Sequence, residues 1–299
     1  MKPMNNIFEG IYPAVLTPFR DERSLDLDAF AALVDRLYAA GVDGIYVGGN
    51  TGEWYLQTLD ERKRTARAAV ELSRGRGRVI LHVGCARTED AMELARFAES
   101  AGADAVSSLP PYVQRWNLDE VLEYYRALAS STGLPAMVYY FPALTGAIPG
   151  ADFFGRVRAI PGIRGFKFTD FNLYELGLMA EQAGSEFFIL NGHDQLLLPG
   201  LLMGASGGVG SFYNIVPEWF VSLFQAWNCG DLDLARQRQF QINRLIQSVK
   251  KHRLIPALKC IAGMQGIDAG ICRRPTLDLP PAEREQLLDQ VRELIAVKA

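Results

Sequence analysis

Short β-rich runs alternate with amphipathic helical stretches eight times over roughly the first 228 residues, and this alternation constrains the fold more than any other feature of the chain. The runs read as strands at 11–16, 43–48, 79–84, 104–108, 135–140, 163–168, 187–190 and 206–210. Helical periodicity falls between and after them, at 27–40, 59–73, 89–101, 118–131, 150–158, 172–182, 194–203 and 216–228. In the first of these helices Phe30, Leu33, Val34 and Leu37 recur on one face. Each unit takes about 25–30 residues, the length a parallel crossover needs. Eight such units favour a closed (β/α)₈ barrel, the TIM barrel, over an open doubly wound sheet. No G-x-G-x-x-G follows the first strand, which weakens the dinucleotide-binding version of the open sheet. Beyond 230 the pattern is helical only, at 231–250, 254–265 and 281–297, with no Pro/Gly/Ser linker to set these helices apart. The expected organisation is therefore an α/β barrel over 1–229 and a helical extension over 230–299, packed on the barrel or on a neighbouring subunit.

Two segments echo each other, AAGVDGIYV at 39–47 and SAGADAVSS at 100–108. In both, a glycine ends a helix and an aspartate precedes a buried strand. A chain of 299 residues that is 49% hydrophobic can bury a sizeable core without disulfides or metals. The net charge of −3 argues against nucleic-acid or membrane-surface partners, which call for a basic stripe. Arg74, Arg76 and Arg78 read as a solvated turn. The four cysteines form no C-x-x-C pair, as expected for reduced thiols in the cytoplasm. Residues 1–10 lack the apolar stretch of a signal peptide, and no run reaches the ~18 apolar residues of a membrane span. His82, His193 and His252 lie far apart without a H-x-x-x-H pattern, so no metal site is expected. His82 reads as a satisfied core histidine.

In a barrel of this type the chemistry sits at the C-terminal ends of the strands. In the sixth strand, alternation puts Gly165, Lys167 and Thr169 on one face and Phe166 and Phe168 on the other. Lys167 then points into the barrel, where desolvation lowers its pKa and frees the amine to attack a carbonyl. In the fifth strand Tyr139 and Tyr140 face opposite ways, so one tyrosine faces the interior beside that lysine, placed for proton transfer. The second strand ends in Gly48-Gly49-Asn50-Thr51-Gly52-Glu53, a loop whose backbone N–H groups and threonine hydroxyl suit a carboxylate. The ends of the seventh and eighth strands, Asn191 to Asp194 and Gly207 to Ser211, offer small and polar groups to a polyhydroxylated ligand.

GGNTGE at 48–53, VYYFPALTG at 138–146, GFKFTD at 165–170 and GGVGSFYN at 207–214 occur in this order at matching spacing. On these motifs the chain, over about residues 8–296, resembles the dihydrodipicolinate synthase/N-acetylneuraminate lyase superfamily. The resemblance implies a (β/α)₈ barrel with a C-terminal helical extension, assembled as a homotetramer. It implies Lys167 as the Schiff-base lysine for pyruvate or a related 2-oxo acid, Tyr139 as the proton-transferring tyrosine, and Asn50 and Thr51 in the carboxylate-binding loop. It further implies that Thr169, Gly192, Asp194, Gln195, Gly210 and Ser211 contact a sugar-acid chain. Leu144 stands where dihydrodipicolinate synthases usually carry an arginine, and HVGC at 82–85 and MGASGGVGSFYN at 203–214 look lyase-like. Three positions depart from the pattern. Asn50 replaces a Ser or Thr hydroxyl, Gln195 replaces a glutamate that binds glycerol-chain hydroxyls, and Val113, beside Tyr112, replaces a tyrosine lent across the subunit interface. Trp54 and Tyr55 add bulk near the loop.

The expected function is that of a class I aldolase cleaving a 2-oxo-3-deoxy sugar acid, N-acetylneuraminate first, to pyruvate and an aldehyde, without metal or organic cofactor. The alternatives are a 2-keto-3-deoxy-gluconate-type aldolase or a deoxy-oxo-sugar-acid dehydratase, with dihydrodipicolinate synthesis behind them. A non-catalytic 2-oxo acid binding protein is the alternative of a different class.

Overall fold

Eight short parallel strands carry the architecture, and each is buried along nearly its whole length: β1 Gly10–Pro13, β2 Gly44–Val47, β3 Arg78–His82, β4 Ala105–Ser108, β5 Ala136–Tyr140, β6 Ile163–Phe168, β7 Phe188–Asn191 and β8 Gly207–Gly210. The computed structural model describes residues 8–146, 150–184 and 187–296. Each strand pairs in parallel with the next from β2 to β8, and β8 pairs with β1. The ring is completed between β1 and β2 by the parallel bridge Ala14↔Tyr46 and by the Val15 N–H donating to the Tyr46 carbonyl (2.9 Å). The molecule is thus a TIM barrel.

The helices follow their strands as the periodicity predicts: α1 Leu27–Ala39, α2 Leu59–Ser73, α3 Thr88–Ala101, α4 Leu118–Ser130, α5 Gly150–Arg158, α6 Leu173–Ala183, α7 Leu197–Leu202 and α8 Pro217–Cys229. Then come α9 Leu232–Val249, α10 Leu254–Met264 and α11 Pro281–Ala296. The predicted face of α1 is the buried one. Local chemistry sets the starts: Thr58 with Glu61, and Asn117 with Glu120, form reciprocal capping boxes at α2 and α4.

The echoed segments share a physical purpose. Gly41 (φ 86°) and Gly102 (φ 90°) take the left-handed turn that leaves α1 and α3. The aspartates two residues on then tie the next strand to its neighbour. Asp43 accepts the Ile11 N–H and Asp104 the Val79 N–H, each at 2.8 Å.

Alternation divides the apolar residues into two sets. Outward-facing ones such as Val106, Val138, Phe166 and Phe168 join the helices in the larger core. Inward-facing ones, among them Phe8, Tyr12, Tyr46, Met137, Phe188 and Leu190, plug the barrel below its C-terminal mouth. Gly165 leaves room for this plug, since a Cβ there would lie 2.5 Å from the Phe188 ring.

Four local features differ from expectation. The first strand is shorter than 11–16, ending at Pro13. A two-stranded hairpin, Phe19–Asp21 with Ser24–Leu25, precedes α1. A single helical turn, Pro142–Thr145, follows β5. The helix expected over 194–203 begins as a tighter turn, Asp194–Leu196, before α7. That last break follows from Asp194, whose carboxylate turns inward to accept the Phe212 N–H (3.1 Å). Residue 297, the last of the predicted final helix, lies outside the described residues.

The extension grips the mouth of the barrel from outside. Buried Gln239 of α9 accepts the Leu198 N–H (2.8 Å) and donates to the Asp194 carbonyl (3.2 Å). Lys259 of α10 forms a fully buried ion pair with Glu53 (2.7 Å). Arg273 forms a two-pronged pair with Glu61 at 2.8 and 2.5 Å.

Candidate active site

At the C-terminal ends of the strands a half-open cavity of about 840 Å³ descends to Lys167. The β5–β6 register sets Tyr139 opposite Lys167. The ammonium position lies 4.2 Å from the Tyr46 ring centre and 4.1 Å from that of Tyr139. The residue is 4% exposed, and among the described residues no carboxylate comes within 4.0 Å of its amine. Burial pulls its pKa down to about 7, and the charge of Asp194 only partly opposes this. A substantial fraction of the amine is therefore unprotonated and nucleophilic near neutral pH.

Tyr139 is the inward member of its pair. It stands edge-on to Tyr46 and stacks on Phe141 (5.9 Å). Tyr140 points outward, stacked on Phe168 (5.3 Å) and donating to Glu175 (3.2 Å). Burial raises the Tyr139 pKa, and the neighbouring Thr169 hydroxyl works against that rise. Asp194, also buried, is pushed up to about 6 by desolvation, against the pull of the Phe212 and Ser211 N–H groups.

The loop after β2 folds as a tight turn, Asn50–Gly52, between Gly48 (φ 72°) and Glu53, whose φ of 54° is left-handed. Holding a glutamate in that conformation costs energy, and its buried carboxylate is fixed there by Lys259. The Thr51 hydroxyl meets that of Ser211 at 2.7 Å, so hydroxyls from the loops after β2 and β8, which flank β1 in the ring, come together at the mouth. Asn50 is turned away from such a partnership, since its carbonyl oxygen accepts the Trp54 indole N–H (2.8 Å). Trp54 is buried beside His82 and Tyr112, whereas Tyr55 is half-exposed at the rim.

The structure brings nine of the ten sequence-derived site residues to the cavity wall: Lys167 and Tyr139, Asn50 and Thr51, Thr169, Gly192, Asp194, Gln195 and Ser211. Gly210 acts one layer down: a Cβ there would collide with the Asp194 carboxylate, so its bareness seats that side chain. Gly192 likewise makes room for Thr169. Leu144 and Tyr112 line the wall, while Val113 is 72% exposed and does not. His82 is a core histidine. Its Nδ1–H donates to the Gly48 carbonyl (2.9 Å) and its Nε2 accepts the Leu109 N–H (3.3 Å). Desolvation holds its pKa well below 6.5, so the ring is neutral.

Sequence reasoning missed the outer wall. The Phe171 ring packs tilted against His193 (4.3 Å between centres), and Lys250, Arg253, Ile255 and Thr276 reach the cavity from the extension. These last belong to no barrel strand, so period-two alternation gave no sign of them.

Comparison with known proteins places this geometry. The model of the dihydrodipicolinate synthetase family matches residues 7–294. An N-acetylneuraminate lyase of Rhizobium meliloti (strain 1021) is 36% identical over 288 residues, 96% of either chain. A catalytic-lysine mutant of the sialic acid aldolase of Ruminococcus gnavus superposes with a TM-score of 0.93, at 26% identity and covering 98% of both chains. A prophage protein of the dihydrodipicolinic acid synthase family from E. coli K12, solved in complex with pyruvate, gives 0.92 at 29% identity, covering 97% of this chain and 99% of that one. Fold and relatives together define a TIM-barrel enzyme of the aldolase/lyase class. The chain belongs to the dihydrodipicolinate synthetase family.

Proposed function

We propose that this enzyme cleaves a 2-oxo-3-deoxy sugar acid, N-acetylneuraminate foremost, to pyruvate and N-acetylmannosamine through a Schiff base on Lys167. The observation that carries the reading is the buried, carboxylate-free amine at the floor of the cavity, facing Tyr139. The substrate class comes from the lyases and aldolases that the chain is similar to. The substrate carboxylate is held by the loop at Asn50 and Thr51, with Ser211 completing the grip.

The neutral amine adds to C2, its proton moving to the oxygen, to give a carbinolamine. The Tyr139 phenol protonates the departing hydroxyl, leaving a protonated imine, a water molecule and a tyrosinate. The tyrosinate then takes the proton of the C4 hydroxyl. The C3–C4 bond breaks, its electrons pass into the imine, and the products are an aldehyde and an enamine. Tyr139 returns its proton to C3, and the resulting imine is hydrolysed to pyruvate and free lysine. The tyrosine pKa, raised by burial, suits this sequence, because the phenol is protonated at rest and a strong base once ionised. The remaining polar wall, Thr169, Gly192, Asp194 and Gln195, faces the sugar chain.

Intact mass after incubation with pyruvate and borohydride tests the reading. One reduced adduct per chain, absent in Lys167→Ala, is expected, together with pyruvate release from N-acetylneuraminate by the wild type. A folded wild-type protein that forms no adduct overturns it.

A further inference from the structure

The cavity is far larger than the floor around Lys167 requires, and its outer half has a charge character of its own. The ionic side chains on the wall above Asp194 are basic: Lys250 at the end of α9 and Arg253 just before α10. Asp194 is the only carboxylate in the wall among the described residues, and it lies inward, beneath the Phe212 N–H. Three carboxylates outside the wall have hydrogen-bond partners of their own. Glu283 accepts from His252 (2.7 Å), Asp278 from the Cys272 N–H (2.9 Å) and Asp170 from the Asn172 N–H (3.2 Å). Neither Lys250 nor Arg253 has a carboxylate within 4.0 Å among the described residues. The Arg253 guanidinium spends one N–H on the Asp278 carbonyl, which fixes it without neutralising it.

Neutral donors stand beside these cations. Gln195 and Thr276 line the same wall, and so does His193. Burial lowers the His193 pKa; Asp170 opposes this, and the charge of Lys250 adds to it. A wall with two cations, neither of them paired with a carboxylate, and with hydrogen-bond donors beside them is complementary to an anion.

We propose that this outer wall is a second anion subsite, which takes a carboxylate or phosphate at the end of the substrate remote from its 2-oxo group. The inference rests on the reading that Lys167 holds the 2-oxo acid end. It adds a substrate class to that reading: sugar acids whose aldehyde half is itself acidic or phosphorylated. Both cations are exposed to solvent, so each contributes modestly and in a salt-dependent way. Two together correspond to roughly a tenfold preference at low ionic strength.

Calorimetric binding to the Lys167→Ala protein tests the subsite without requiring an imine. The ligands are paired by carbon skeleton, erythrose 4-phosphate against erythrose and glucuronate against glucose. The anionic member of at least one pair is expected to bind roughly tenfold more tightly at low salt, and the pair that shows it tells phosphate from carboxylate. That ratio is expected to fall toward one with Lys250→Met and Arg253→Met combined, and to invert with Lys250→Glu and Arg253→Glu. Circular dichroism confirms that each variant is folded. Equal affinity within both pairs, or a preference that survives both double variants, overturns the proposal. Failure of the borohydride trapping instead removes the Schiff-base reading, and the two failures are read on different experiments.

Discussion

Lys167 is an expensive residue to keep, because burial without a counter-ion stabilises only its neutral form. With the folded pKa at about 7 and the unfolded one near 10.5, the unfolded chain binds the extra proton between those values. This residue's contribution to stability therefore improves as pH rises from about 7 toward 10.5, and is at its worst below 7. Lys167→Met is expected to raise the melting temperature measured at pH 7 while abolishing pyruvate trapping; a lower melting temperature would contradict the buried-amine picture. Asp194 is the group that holds the lysine pKa up. Asp194→Asn is thus expected to move the pH profile of imine formation to lower pH, read from trapping rates between pH 5 and 9. Gly210→Ala should displace the same carboxylate and alter the same profile without touching the cavity wall. Strand parity alone brought Lys167 inside, but it left Tyr139 and Tyr140 undecided. Only the register against β6 resolves that pair. The part played by Gly210 was not legible, because a glycine's purpose lies in the neighbour it spares.

At the scale of elements, the turn at Asn50–Gly52 owes its shape to the extension. Glu53 holds its left-handed backbone while Lys259 takes one carboxylate oxygen and the Arg273 N–H the other. Lys259 also donates to the Ile271 carbonyl (2.6 Å), so it ties α10, the strap after it and the turn into one unit. Lys259→Met leaves a buried carboxylate without its cation. A loss of about 3–5 kcal/mol in denaturant unfolding is expected, with part of it recovered in the double variant Glu53→Gln/Lys259→Met. The pyruvate concentration needed for half-maximal trapping is expected to rise in the single variant, because Thr51 rides on the same turn; a purely structural pair would leave it unchanged. The strands and long helices of this region were legible from periodicity. The hairpin at Phe19 and the turn after β5 were not, since elements this short show no period, and the break at Asp194 was not, since it follows from the contact with the Phe212 N–H.

The whole molecule behaves as a barrel whose working end is finished by helices outside it. Residues of the extension line the cavity, pin the Asp194 backbone through Gln239 and clamp Glu53. The eightfold alternation made the barrel legible, and the three later helices were legible as helices. Nothing in their sequence announced that they reach the mouth, because helix–mouth contacts follow from tertiary packing and not from any local period. Family likeness leads us to expect a tetramer, a mass in light scattering of about four times 33.1 kDa. A stable monomer at working concentration would remove that expectation.

The plug of Phe8, Tyr12, Met137 and Phe188 below Lys167 makes the cavity a blind alley. On the proposed reaction, whatever is bound at the lysine lies behind whatever occupies the mouth. The aldehyde must depart first, and pyruvate, covalently held at the closed end, can leave only after it. Run backwards, the same dead end makes the 2-oxo acid the obligatory first arrival. Pyruvate is then expected to inhibit cleavage competitively and the aldehyde non-competitively, a kinetic order imposed by a handful of buried side chains below the lysine.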